Sequence, residues 1–347
     1  MTLEQWALAG LVGFAAWAGT GVMKAAAVRW GLLDVPNPRS SHERPTPRGG
    51  GAALAAACLG GWTWLWQAGW IPAQIFGALA GGGFLVAAVG LWDDRAGLSP
   101  VVRLVCHGAA AAGCVSVTGG WEALAGALPH WVSSSGAAVL WVGLVWLINL
   151  TNFMDGIDAI AGVEAVCVMG GIAVLCLLGG HGGPGWAAAT AAAAAAGFLF
   201  WNLPPARIFM GDVGSGFLGF CFGAVGWWSV ASGALSLWSW LILPAVFTTD
   251  ATLTLLRRMA RGEAWMRPHR SHAYQHAARR AGSHGKVSAA VLLVNLGWLF
   301  PLAALGCRRP DLGPFAAAAA YAPLLVLAWR LDAGVPGDRL PGPEVVS

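Results

Sequence analysis

Charge is what this 347-residue chain has least of. Asp, Glu, Lys and Arg make up 10% of it, against about 25% in ordinary soluble domains, which excludes an ordinary soluble fold. The seven Cys include no CxxC pair and lie mostly inside apolar runs. They read as small buried residues, not as a disulfide framework or a zinc site. The N-terminus lacks the basic stretch of a secretory signal, so the apolar run from near Gln5 is expected to be a retained first span. No lipidation signal, internal repeat or low-complexity linker stands out.

What is present in excess suits a membrane. Hydrophobic residues are 57% of the chain, with 50 Gly and 21 Trp, as packed transmembrane helices with interfacial indoles require. A span needs about 20 mostly apolar residues, and about eleven stretches qualify. They are 5–27, 50–69, 72–92, 101–119, 136–151, 158–179, 185–202, 213–231, 236–256, 287–306 and 313–330. The fold class expected is therefore all-α: a polytopic integral membrane bundle of about 10–11 helices. It forms one domain over 1–331, and the tail 332–347, rich in Gly, Pro and charge, is expected to be disordered. The stretch 120–135 is too polar and broken to span and reads as an outer loop. In the longest inner loop, 257–286, the start from Leu253 to Arg261 extends a helix beyond the membrane.

Basic residues stay on the cytoplasmic side. With the N-terminus outside and the C-terminus inside, all 20 Lys and Arg except Arg308 and Arg309 fall on the inner side or its flanks. The same orientation puts four polar clusters on that face: Asp93-Asp94-Arg95, Asn149 to Asp158, Phe209 to Ser215, and Arg267 to His272. Carboxylates at the edge of an apolar interior are costly and point to function. Asp155 and Asp158, three apart, share a face on a helix. Asp93 and Asp94, adjacent, point about 100° apart on one. Asp212 lies in Gly211-Asp-Val-Gly-Ser-Gly216 before an apolar run, where small residues and a helix start favour an anion. Several carboxylates beside a basic loop suggest Mg²⁺, which takes one or two carboxylates together with waters and substrate phosphates. Arg267, His269, Arg270 and His272 are donors suited to phosphate.

Each cluster alone has a plainer reading. An Asp at a helix end is more often a cap or a solvated group. Asn149 and Asn152 can bond between helices, and the basic loop can rest on anionic lipid. Arg103 can snorkel to headgroups or hold a phosphate. Asp250 can line a cavity, pair with an Arg or cap a broken helix. His276 and His284 read as surface residues. Four clusters on one face shift the balance toward a shared site.

These motifs resemble a known family. Asp34-Val-Pro-Asn-Pro-Arg-Ser-Ser-His42, Pro45-Thr-Pro-Arg-Gly-Gly50, Asp93-Asp94, Asn149-x-x-Asn152-x-x-Asp155-Gly156 and Phe209-Met-Gly-Asp212-x-Gly-Ser215 are similar to those of the polyprenyl-phosphate N-acetylhexosamine-1-phosphate transferases. These glycosyltransferase family 4 enzymes include bacterial MraY and WecA. His269-Arg-Ser-His272-Ala-Tyr-Gln275 looks most like the WbpL-type branch, and the His-His-His run of the MraY type is absent. The resemblance implies a cleft on the cytoplasmic face of a bacterial inner membrane, often in a homodimer. It implies transfer of a sugar 1-phosphate from a UDP-N-acetylhexosamine to undecaprenyl phosphate with release of UMP, as the first membrane step of a surface glycan. Mg²⁺ is the cofactor implied, with Mn²⁺ as a substitute, and no nucleic acid is involved. The resemblance makes Asp93, Asp94 and Asp212 catalytic, and Asp155 and Asp212 metal neighbours. It puts Arg44, Asn152, Asp158, Asn202 and Phe209 near the nucleotide, and Arg103, His269, Arg270 and His272 near phosphate and sugar. Two other classes fit the composition. An ion-coupled carrier would need polar groups at mid-membrane and matching halves, and a polyprenyl-diphosphate phosphatase would release inorganic phosphate.

Overall fold

The computed structural model describes residues 3–36, 45–120, 135–263 and 269–336. The outer loop expected at 120–135 falls almost wholly outside them, as do Arg44 and Arg267. Helix α1 spans Leu3–Arg29. A two-residue pairing follows, β1 Leu33–Asp34 antiparallel to β2 Thr46–Pro47, in the register Leu33↔Pro47 and Asp34↔Thr46. Then come α2 Gly51–Gln67, α3 Ala73–Ala96, α4 Pro100–Thr118, α5 Gly136–Met154, α6 Ile160–Leu178, α7 Gly182–Asn202 and α8 Asp212–Ala231. The last third holds α9 Leu237–Ile242, α10 Ala245–Ala260, α11 Ala273–Ala281, α12 His284–Val294, α13 Phe300–Arg308 and α14 Gly313–Arg330. A π-helical turn, Asn295–Leu299, joins α12 to α13.

Eight of these stretches are long and apolar enough to cross a membrane: α1, α3, α4, α5, α6, α8, the continuous α12–α13 unit, and Pro310–Arg330. The other expected spans are helical too, but differ in kind. α2 has 17 residues, and α7 is built largely from Ala, which is only weakly hydrophobic. The stretch 236–256 is broken into α9 and α10 at Pro244, which lacks an N–H and obstructs the carbonyl one turn earlier. α10 runs on to Ala260, as the sequence suggested. Among the described residues of the expected loop 257–286 are the end of α10, all of α11 and the start of α12.

α8 is the axis of the bundle. It is buried from Val213 to Val230, and it packs most extensively on α3 and α5 and also on α2, α6 and α7. A helix apolar all round needs neighbours on every side, and glycines let them come close. A Cβ on Gly51 would strike the backbone of Gly214, and one on Gly214 would strike Gly51. The starts of α2 and α8 therefore meet through their backbones.

Residues 332–335 are docked, which corrects the expectation of a disordered tail from Asp332. Ala333 is fully buried and its carbonyl accepts from Arg257 Nη1 at 2.8 Å. Gly334 N donates to Ser271 O, and Asp332 pairs with Arg280. The groups just past α14 find partners on α10, on α11 and on the turn before α11, which keeps the chain ordered; 337–347 lie outside the described residues. His276 is part of this strap and not a surface residue. It is 1% exposed, with Nε2 3.1 Å from Val335 O and Nδ1 2.9 Å from Arg279 Nη2. That pairing requires a neutral ring, with Nε2–H donating and Nδ1 accepting.

Burial, with Arg279 beside it, pushes His276 below its ordinary value of 6.5. The unfolded chain then takes up the proton first. The contact is at full strength above the ordinary value and weakens as pH falls through it toward the folded-state pKa. Wild type should lose thermal stability relative to a His276→Gln variant as pH drops from about 7 to about 5. Melting curves that shift in parallel would show that the strap does not depend on this ring.

Candidate active site

The first amides of a helix have no partner within it. At the start of α8, Asp94 provides one from the last turns of α3: Oδ1 accepts from Asp212 N at 2.9 Å and Oδ2 from Val213 N at 3.2 Å. Arg48 joins the two acids, with Nε 2.8 Å from Asp94 Oδ1 and Nη2 2.6 Å from Asp212 Oδ1. The backbone sets its place. Arg48 forms a parallel bridge with Phe209, Phe209 N donates to Pro47 O at 2.8 Å, and Gly50 N donates to Phe209 O at 3.0 Å. From the other side, Arg103 Nη1 lies 2.7 Å from Asp93 Oδ2 and 3.3 Å from Asp212 Oδ2. Arg103 thus points inward to carboxylates instead of outward to headgroups.

Asp212 therefore sits between two guanidiniums. Side-chain exposure separates the three acids: 18% for Asp212, 10% for Asp93 and 4% for Asp94. Asp212 is the most open to a ligand, and Asp94 is occupied as a cap and ion-pair partner.

Asp155 closes α5 and lies in the same electrostatic field. Burial pushes its carboxyl well above the usual range, Arg48 opposes this, and Asp212, Asp94 and Asp158 reinforce it. Among the described residues, no hydrogen bond or ion pair reaches its carboxylate. Asn152, one turn earlier, donates from Nδ2 to Ser215 Oγ on α8 at 3.2 Å.

Two residues expected near a nucleotide are engaged within the protein. Asn202 is 3% exposed; its Oδ1 accepts from Ala159 N at 2.8 Å and its Nδ2 donates to Ile208 O at 3.0 Å. Asp158 accepts from Ala206 N at 3.1 Å and lies 3.4 Å from His284 Nδ1, so His284 is also more than a surface residue. Both brace the 155–159 turn against 203–208. Phe209 is half-buried in the strand-like bridge beside Arg48.

The basic turn His269–His272 leads into α11. The rings of His269 and His272 stack with centroids 4.9 Å apart, and Ser271 Oγ is 2.9 Å from His269 Nδ1. Tyr274 links this turn to the acidic loop: its hydroxyl donates to Phe153 O at 3.0 Å, and a Cβ on Gly156 would strike that hydroxyl. Glycine at 156 lets the phenol lie against the loop that carries Asp155.

Three residues that matter here were not assigned a role from sequence: Arg48, Asp250 and Tyr274. Arg48 stood inside the quoted Pro45–Gly50 motif, which was signal enough to find it. Asp250 meets residues 22–24 positions further on, and the Tyr274 hydroxyl meets a carbonyl 121 positions earlier.

The donor set can be tested against a metal. Among the described residues there is no group of three or more His, Cys, Asp or Glu arranged to hold one, which argues against a zinc-like or all-protein cage. Mg²⁺ needs fewer protein ligands, because water and substrate oxygens complete its shell. Asp93, Asp94, Asp155 and Asp212 face two guanidiniums, so full ionisation leaves an excess of negative charge. Asp155, driven toward its neutral form and without a partner among the described residues, would ionise beside a cation. The residues fit Mg²⁺ on these grounds.

Residues 75–230 match the model of glycosyl transferase family 4. The chain is 30% identical to a decaprenyl-phosphate N-acetylglucosaminephosphotransferase of Mycolicibacterium smegmatis, over 85% of this chain and 80% of that one. It is 28% identical to a probable undecaprenyl-phosphate N-acetylglucosaminyl 1-phosphate transferase of Bacillus subtilis, over 82% and 80% respectively. A phospho-N-acetylmuramoyl-pentapeptide-transferase of a Synechococcus species is 33% identical over 46% of each chain.

The geometry separates the adjacent acids by experiment. Asp94→Ala removes one of the two partners of Arg48 and leaves the first amides of α8 unsatisfied, and should cost about 1–3 kcal/mol, as leaving buried donors without acceptors does. Asp93→Ala should cost clearly less. Equal losses in thermal or denaturant unfolding would mean that Asp94 does not anchor α8.

Proposed function

The chain belongs to glycosyl transferase family 4, and on that premise we propose that it transfers an N-acetylhexosamine 1-phosphate from a UDP-sugar to undecaprenyl phosphate, forming the diphosphate-linked lipid and UMP. The relatives' names and the long shared coverage support the reaction class. The observation that carries the reading is Asp212, held between Arg48 and Arg103 at the start of the buried α8.

In the reaction an acceptor phosphate oxygen attacks the sugar-bearing phosphorus of the donor. The bond to the bridging oxygen breaks, and its electron pair leaves with UMP. Much of a phosphate monoester is already a dianion at neutral pH, so a strong base is not required. The protein must neutralise and align two anionic groups. Arg48 and Arg103 can exchange carboxylate for phosphate oxygens, and each presents several donors. Asp93, more open than Asp94, orients or deprotonates the acceptor, while Asp94 holds the start of α8. Asp155 and Asp212 would hold Mg²⁺, which when bound supplies positive charge to the diphosphate. Asn152 and Phe209 face the nucleotide, with Arg44 as a further basic contact. His269, Arg270 and His272 receive the donor's diphosphate and sugar. Asn202 and Asp158 act from behind, by bracing the loop of Asp155.

The setting proposed is a bacterial inner membrane, with the site on the cytoplasmic face, the N-terminus outside and the acceptor phosphate presented at the interface. A homodimer and a place at the first membrane step of a surface glycan belong to the same proposal.

Purified protein should release UMP from a panel of UDP-N-acetylhexosamines only when undecaprenyl phosphate and Mg²⁺ are both present. Asp212→Asn should lower turnover by about 10²–10³-fold or more with membrane insertion unchanged. Inorganic phosphate in place of UMP would favour a phosphatase, and a fully active Asp212→Asn variant would remove that residue from the reaction.

A further inference from the structure

Asp250 lies in α10, is 5% exposed, and has no part in the chemistry proposed above. Its two oxygens nevertheless meet four donors. Oδ1 accepts from Ala273 N at 2.9 Å and Thr254 Oγ1 at 3.0 Å and lies 3.2 Å from His272 Nδ1; Oδ2 accepts from Tyr274 N at 2.9 Å. The two amides are the first of α11, the helix that leaves the basic turn. A carboxylate on one helix thus caps another, as Asp94 does for α8.

The contacts reach further than a cap. An ionised carboxylate only accepts, so Nδ1 of His272 carries the proton, which fixes the tautomer and the ring plane. His272 stacks on His269, so the ring fixed by Asp250 orients its neighbour. Holding Tyr274 N also aims the Tyr274 side chain at Phe153 O and Gly156. One carboxylate therefore sets both the shape of the basic turn and its attachment to the loop of Asp155.

We propose that Asp250 is a positioning residue for donor binding: through His272 and Tyr274 it holds the His269–His272 turn in the form that receives the diphosphate of a sugar nucleotide. This rests on the transferase reading above. Asp250 acts on the donor half of the pocket; Asp93, which orients the acceptor, and Arg103, paired with it, are held by other elements, so the acceptor half does not depend on it.

Two variants test this. Asp250→Asn keeps the size of the side chain but turns one acceptor into an amino group that faces backbone N–H donors. Ala273→Pro removes one of those donors at the first position of α11, where proline is tolerated. The preceding His272, at φ −73° and ψ 149°, already has the conformation a residue before proline needs. With UMP release as the assay, the KM for the UDP-sugar should rise by about tenfold in Asp250→Asn, as loss of a charge-assisted hydrogen bond implies. Ala273→Pro should raise it less, and the KM for undecaprenyl phosphate should stay within about twofold of wild type in both. A purely structural role would lower the yield of folded protein and leave both KM values alone. Either that result or equal rises in the two KM values overturns the proposal. If Asp250→Asn does not fold, Ala273→Pro decides alone. A wild type that releases no UMP sinks the transferase reading; an active wild type with unaltered donor KM in the variants sinks only this inference.

Discussion

The guanidinium of Arg48, lodged between Asp94 and Asp212, is the contact on which the acidic pocket depends. Adjacent carboxylates in a partly desolvated place cannot all ionise without compensation. Arg48 supplies charge from the β2 side and Arg103 from α4, so Asp212 is stabilised from two directions. Neither guanidinium is fully buried, with side-chain exposures of 36% and 30%. Both can therefore turn to an incoming phosphate, and the same residues that hold the resting site together are the ones a charged substrate would recruit.

A second theme is how helix starts are satisfied where water is scarce. In an apolar medium every backbone polar group needs an internal partner. Here two helix starts near the pocket, those of α8 and α11, are capped by carboxylates from other helices, Asp94 and Asp250. These caps do more than stabilise. One fixes the helix that begins with Asp212, the other the helix that follows His272, and Tyr274 ties the second to the loop of Asp155.

Much of this was legible in the sequence, for physical reasons. Apolar runs of spanning length report helices, so the expected stretches are helical. Carboxylates at the edge of such runs are costly enough to stand out, so Asp93, Asp94, Asp155 and Asp212 were recognised and do share one electrostatic neighbourhood. What sequence could not convey was who meets whom. Arg48 and Asp212 are 164 residues apart, and an Arg on the inner face looks like any other until its partner is known. The family resemblance put Asn202 near the nucleotide, and both ends of its amide are used to hold two loops together. The tail misled because composition reports the propensity to fray and is silent about backbone partners such as Ser271 O.

That last contact has a consequence for the basic turn. Gly334 and Ala333 are synthesised after the final long helix, yet they complete the setting of Ser271, in the middle of the basic turn. The residues of the acidic half, from Arg48 to Asp212, all precede α8 or open it, whereas the turn that carries Ser271 takes a backbone partner from beyond α14. Displacing the segment after α14 would therefore loosen the turn that carries His269 and His272, although neither histidine touches that segment's backbone.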